Sequence, residues 1–200
     1  MASSNESKMR AMLEGAGVPL RFREKTFADF VSRGGSFPEA LESLVEYAAD
    51  WPQTAKGRSM ILCGGTGSGK THAACAMVRE VLEAKQSASY VLFKDACRRV
   101  RDAWKKRDDA SELTVISGLC SPTFLALDDV SIDTDFERAL LEHIINDRYA
   151  NLRATMLVTS HEQQQFLKML GNCIIDRLRE DGGFVVGFRC DSFRDKMHKQ

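Results

Sequence analysis

Apolar residues along this chain keep two rhythms. Five short runs are nearly continuous: Met60-Ile61-Leu62-Cys63, Ser89-Tyr90-Val91-Leu92-Phe93, Phe124-Leu125-Ala126-Leu127 ending in the acids Asp128-Asp129, Ala154-Thr155-Met156-Leu157-Val158 ending in the polar Thr159-Ser160, and Phe184-Val185-Val186-Gly187-Phe188. Short apolar runs without polar alternation predict strands buried on both faces. Between them the apolar positions recur at helical spacing, over 70–84, 95–106, 111–119, 135–152, 163–170 and 173–179, the last two parted by Gly171. Over 95–106, Cys97, Val100 and Trp104 share one side, and Arg98, Arg101 and Lys105 another. Over 135–152, Leu140, Leu141, Ile144, Ile145 and Tyr149 face inward. An earlier helix opens at Ser36-Phe37-Pro38-Glu39, carries Leu41, Leu44, Val45 and Ala48 as a stripe, and stops at Trp51-Pro52. Strands alternating with helices predict an α/β fold, a parallel sheet flanked by helices on both faces. Residues 1–20 read as a polar tail with a short helix over 8–14, ended by Gly15 and Gly17, ahead of a domain over 21–200. Phe22, Phe27 and Phe30 suggest that 19–30 is an extended segment lying against that domain.

Composition narrows the class of protein. The chain has 200 residues, 44% hydrophobic and 28% charged, as in an ordinary globular domain with a substantial core. With 28 basic and 28 acidic residues, net charge draws the chain to neither nucleic acid nor membrane, so nucleic-acid contact requires a local patch. The six cysteines include no C-x-x-C pair and fall mostly in apolar runs, which points to reduced core thiols in a cytoplasmic protein. The first residues lack an apolar signal core, and no apolar run approaches the ~18 residues of a membrane helix. The four histidines share no metal-like spacing.

The chemistry concentrates at the ends of the predicted strands. Gly64-Gly65-Thr66-Gly67-Ser68-Gly69-Lys70-Thr71 matches G-x-x-x-x-G-K-[ST], between a strand and a helix. Glycines let backbone N–H groups approach phosphate oxygens, and the helix N-terminus adds free donors. Lys70 would reach the β and γ phosphates of ATP, and the Thr71 hydroxyl would ligate Mg²⁺. Asp128 is placed to hold Mg²⁺ through its water shell, and Asp129 to orient the attacking water as a catalytic base. Asp129 is one methylene shorter than glutamate, so slow turnover is expected. Ser160 ends the fourth strand, where its hydroxyl either contacts the γ-phosphate or water, or satisfies backbone groups. Arg177 and Arg194 each carry a guanidinium suited to charge building on the γ-phosphate; by spacing alone each is equally a surface arginine.

Together these residues resemble the DnaC/DnaI-type replicative helicase loaders within the AAA+ ATPases, of the IstB-like ATP-binding superfamily. The resemblance runs from about residue 21 to 196. It rests on Arg21-Phe22-Arg23-Glu24-Lys25-Thr26-Phe27-Ala28-Asp29-Phe30, the phosphate loop, Leu127-Asp128-Asp129-Val130, Ile144-Ile145-Asn146-Asp147-Arg148-Tyr149, Thr159-Ser160, Asp176-Arg177-Leu178 and Ser192-Phe193-Arg194. It implies a P-loop NTPase of the AAA+ class without a separate C-terminal lid domain. It also implies an ATPase that engages a replicative helicase and single-stranded DNA in DNA replication. Arg177 would be an arginine finger acting on a neighbouring subunit's ATP, through self-association, and Arg194 would resemble sensor 2. The helix carrying Trp104 would face single-stranded DNA. Six basic residues between Arg98 and Arg107 surround that ring, a combination that holds single strands; the alternative packs Trp104 beside Cys97 and Val100. Ser160 stands where many relatives have Asn. The family's longer N-terminal helicase-gripping domain has no counterpart in the roughly 20 residues ahead of the similarity. Two alternatives share the same core: an IstB-type transposition helper ATPase, and a nucleotide-switched regulatory binding module.

Overall fold

A computed structural model describes residues 2–30, 37–51, 56–106 and 109–188. The predicted sheet is present as β1 (Met60–Gly64), β2 (Ala88–Leu92), β3 (Phe124–Asp128), β4 (Ala154–Val158) and β5 (Phe184–Phe188). All pairings are parallel, in the order β2-β3-β4-β1-β5. The three central strands are buried at every position, as their unbroken apolar runs require, while β2 and β5 are edges with partly exposed residues.

Because successive strand side chains point to opposite faces, each strand feeds two cores. Met60, Leu62, Ala126, Met156 and Val158 pack beneath α1 (Ala2–Gly15), α2 (Phe37–Ala49) and α3 (Lys70–Glu83). Ile61, Cys63, Leu125, Leu127 and Leu157 pack against α4 (Phe93–Lys106), α5 (Asp109–Cys120), α6 (Asp135–Ala150), α7 (Gln163–Leu170) and α8 (Asn172–Arg179). No described helix is long and apolar enough to cross a membrane.

Several expectations shift. The short helix expected over 8–14 is α1, and Leu13, Ala16 and Val18 at its end join the first core, so the segment expected as a tail is part of the packing. Residues 19–30 are not extended: two 3-10 turns, Leu20–Phe22 and Phe27–Asp29, fold the segment. Thr26 N and Oγ1 both donate to Asp29 Oδ2, at 2.7 and 2.8 Å, and the aromatics still dock on the core. On α2 the expected Leu41, Leu44 and Ala48 pack on the core, but Val45 is 44% exposed, and the stripe widens instead to Ala40 and Tyr47, with Trp51 beyond the helix. Trp51 sets the phase, packing edge-on to Phe124 with ring centroids 5.7 Å apart. Phe93, expected as the last residue of a strand, is fully buried and opens α4.

On α6 the largest departure is Arg148. Tyr149 was expected inward, but it is half-buried and donates its hydroxyl to Glu180 Oε2 at 2.6 Å. Arg148 goes inward instead, at 0% exposure. Its Nε donates to Thr155 Oγ1, and its Nη atoms donate to the carbonyls of Leu119, Cys120, Pro122, Thr123 and Ala154. A rigid planar fork with five N–H donors suits this set, which includes the carbonyls that the end of α5 leaves without helical partners. Burial pushes the guanidinium's pKa down, opposed by the nearby Cys120 and Asp147. Arg148→Met would leave these carbonyls unpaired in the core. We expect it to destabilise the fold by about 3–5 kcal/mol, with Arg148→Lys recovering only part, as read by urea unfolding midpoints.

Candidate nucleotide and metal site

The sheet order brings the carboxyl ends of β3, β4 and β1 side by side, the position where open parallel sheets bind ligands. The loop after β1 departs from the strand at Gly64, whose φ of 141° is open to glycine alone. A Cβ there would lie 2.3 Å from the Phe188 carbonyl oxygen on β5. Gly67 and Gly69 also have positive φ, at 80° and 99°, and α3 begins directly after them. The free N–H groups of its first turn therefore point into the loop.

Lys70 is buried, and its ammonium donates to Gly64 O and Gly65 O at 2.7 Å each and to Ser68 Oγ at 3.0 Å. The next residue reaches across to β3: Thr71 Oγ1 donates to Asp128 Oδ2 at 2.8 Å. Tyr90 OH, from β2, donates to the same oxygen at 2.6 Å, and Asp129 N donates to Asp128 Oδ1 at 2.8 Å. Three donors thus satisfy a carboxylate that is only 4% exposed. Burial first, and the Asp128 charge second, push the Tyr90 phenol well above its usual pKa. Tyr90 was missed in the sequence reading; the only available signal was a hydroxyl among the apolar residues of β2.

Asp129 and Ser160 are exposed at the ends of β3 and β4. Asp129 adopts φ 54°, turning its side chain outward from the strand, while Val130 N bonds back to Val158 O at 2.8 Å. Beside Ser160, Thr159 is buried; its hydroxyl donates to Val130 O at 2.9 Å and accepts from His161 N at 3.2 Å. The backbone-satisfying role considered for Ser160 is therefore taken by its neighbour.

These residues fit a nucleotide with a hard cation. A Cβ added at Gly65 would meet nothing within 4 Å, so the loop has an open side. Thr71 and Asp128 offer paired oxygens suited to Mg²⁺.

The remaining described candidates have local partners of their own. Arg177, on α8, donates to Cys173 O at 3.2 Å and contacts Cys173 Sγ at 2.6 Å, with its guanidinium 6.0 Å from the centre of the Tyr149 ring. Arg98 pairs with Asp95 at 3.0 Å, and Lys105 is exposed. Trp104 does not join Cys97 and Val100 in the core: it is 51% exposed and stands edge-on to Phe136, 5.0 Å away. Arg101 lies over the other part of that cluster, 4.5 Å from the Phe136 ring centre. Arg194 lies outside the described residues.

A five-stranded parallel sheet with this loop on an inner strand and Asp128 on β3 gives the chain the fold of the P-loop NTPases of the AAA+ class. The chain belongs to the family described as IstB-like ATP binding protein, which its residues 6–200 match. It is 26% identical to the replicative helicase loader DnaC of Escherichia coli (strain K12), over 95% of this chain and 77% of that one. Among solved structures, a DnaC helicase loader superposes with a TM-score of 0.71 at 22% identity, covering 84% of this chain and 99% of that one. A replication initiator DnaA bound to AMPPCP and single-stranded DNA superposes at 0.70 with 21% identity, covering 91% of this chain and 54% of the other.

The first turn of α3 is also clasped from outside. His72 Nε2 donates to Thr26 O at 2.8 Å, and its ring stacks on Phe30 with centroids 3.9 Å apart. Burial lowers the His72 pKa below 6.5, opposed by the Thr26 bond and Asp29 and aided by Lys25. The folded state then resists a proton that the unfolded chain accepts, so stability falls as pH drops below the unfolded value of about 6.5. Urea midpoints measured at pH 7.5 and pH 5.5 should differ less in His72→Gln than in the unaltered protein.

Proposed function

We propose that this protein is an ATP-binding and ATP-hydrolysing helicase loader of DNA replication, working in the cytoplasm with Mg²⁺, a replicative helicase and single-stranded DNA. The convergence of Lys70, Thr71 and Asp128 on one rim carries the nucleotide part of this reading. Membership of the IstB-like ATP binding family and the likeness to DnaC support the rest.

In this reading the loop of residues 64–71 and the first turn of α3 bind the phosphates through backbone N–H groups. Lys70 exchanges the loop carbonyls it now holds for phosphate oxygens. Bound Mg²⁺ would supply Lewis-acid stabilisation of charge on the phosphates, held by the Thr71 hydroxyl and by Asp128. Asp129, exposed beside them, orients and polarises the attacking water, and Ser160 lines the same rim. Arg177 leaves Cys173 to complete the site of a neighbouring subunit, and Arg194 acts on the bound nucleotide's phosphates. Arg98, Arg101, Trp104 and Lys105 form the surface for single-stranded DNA, the exposed indole supplying the stacking face.

Nucleotide affinity and hydrolysis measured on variants test this. Lys70→Ala is expected to lose ATP binding, and retained affinity would overturn the assignment. Arg177→Ala should bind ATP normally, yet its hydrolysis should stay at the unstimulated level when single-stranded DNA and helicase are added. The family description itself favours a second reading, an IstB-type transposition helper. Capture of a transposase in place of a ring helicase from the source cell would select it.

A further inference from the structure

The bond from Tyr90 to the metal-facing carboxylate has no part in the reading above, and Tyr90 is held with unusual completeness. Its ring is buried in the first core. Its backbone pairs with Ala126 of β3 on one side. On the other, open side of the sheet, Tyr90 N donates to Ala16 O at 2.8 Å. Gly17 comes so close that a Cβ on it would stand 2.5 Å from the Tyr90 carbonyl oxygen, and its φ is 83°. The segment following α1 therefore covers the β2 edge at this one residue. From that fixed base the hydroxyl reaches Asp128 Oδ2 at 2.6 Å, sharing the oxygen with Thr71.

A carboxylate has about four lone-pair sites. Thr71, Tyr90 and the Asp129 N–H take three of them on Asp128. Without Tyr90, Oδ2 would keep only the Thr71 hydroxyl, the same group that is expected to turn its oxygen to the cation. We infer that Tyr90 is a positioning residue for the Mg²⁺ site: by anchoring Asp128 Oδ2 from the edge strand, it fixes the orientation in which Asp128 and Thr71 together receive the cation. This rests on the ATP–Mg²⁺ reading of the rim. The hydroxyl itself touches neither nucleotide nor metal. Its effect is that of an outer partner that holds a ligand in place, and loss of such partners commonly weakens metal binding by about 10–100-fold.

Tyr90→Phe removes the hydroxyl and keeps the ring. Binding of a fluorescent ATP analogue to the full chain is followed in EDTA and across a Mg²⁺ titration. The Mg²⁺ concentration that half-maximally tightens nucleotide binding is expected to rise about tenfold in the variant. Affinity in EDTA should equal that of the unaltered protein, and the melting temperature should move by only about 2–4 °C. A loss of structure alone would weaken binding in EDTA as much as in Mg²⁺, which would overturn the inference. So would a variant whose Mg²⁺ titration matches the original. If the unaltered protein itself shows ATP binding that ignores Mg²⁺, the metal reading of the rim falls, and the inference with it. That outcome is told apart because it needs no variant.

Discussion

A negative charge at the end of a strand buried on both faces must be satisfied by groups that stay where they are. Asp128 meets this demand with donors from three directions: α3 through Thr71, the sheet edge through Tyr90, and the following peptide through Asp129 N. Each partner is positioned by its own element, so the carboxylate ties the phosphate loop, the β2 edge and the β3 turn to one point. The opposite end of the same strand is held by Arg148, which grips the carbonyls just before β3 and at the start of β4. β3 is thereby pinned by a carboxylate at its carboxyl end and a guanidinium at its amino end.

The sheet and most helices were legible because periodicity reports burial directly. All five strands appear where the apolar runs stand, and the phosphate loop lies between β1 and α3 as its motif requires. What escaped were polar residues turned inward. Arg148 reads as surface in any hydropathy pattern, and its burial is explained by the carbonyls left over by α5 and the loop after it, together with Thr155 and Ala154 of β4. Tyr90 escaped because an aromatic in an edge strand is usually read by its ring and not by its hydroxyl. One missed feature was written locally: Thr134 and Glu137 form a capping box at the start of α6, with the spacing S/T-x-x-E, and Glu137 further binds Lys94 of α4.

Helix phase was harder to read than helix position. On α2 the aromatic pair Tyr47 and Trp51 decides which side faces inward, because two large rings bury more area than Val45, which is left exposed. On α4 the indole of Trp104 falls just beyond the buried stripe of Cys97, Val100 and Ala103, where Phe136 from α6 meets it. A side chain at such a boundary is placed by what the neighbouring helix presents, and sequence spacing within α4 cannot contain that.

The contact between Gly64 and Phe188 joins the first strand of the sheet to its last. The other three strands of the sheet lie between them in sequence. During synthesis the phosphate loop leaves the ribosome long before the strand against which its first residue rests. Until β5 emerges, β1 lacks one of its two neighbours and the turn at Gly64 lacks its wall. The loop is among the earlier parts of the domain to be translated and among the last to acquire its surroundings, so the growing chain comes to hold a finished phosphate cradle only when the sheet has closed along β1.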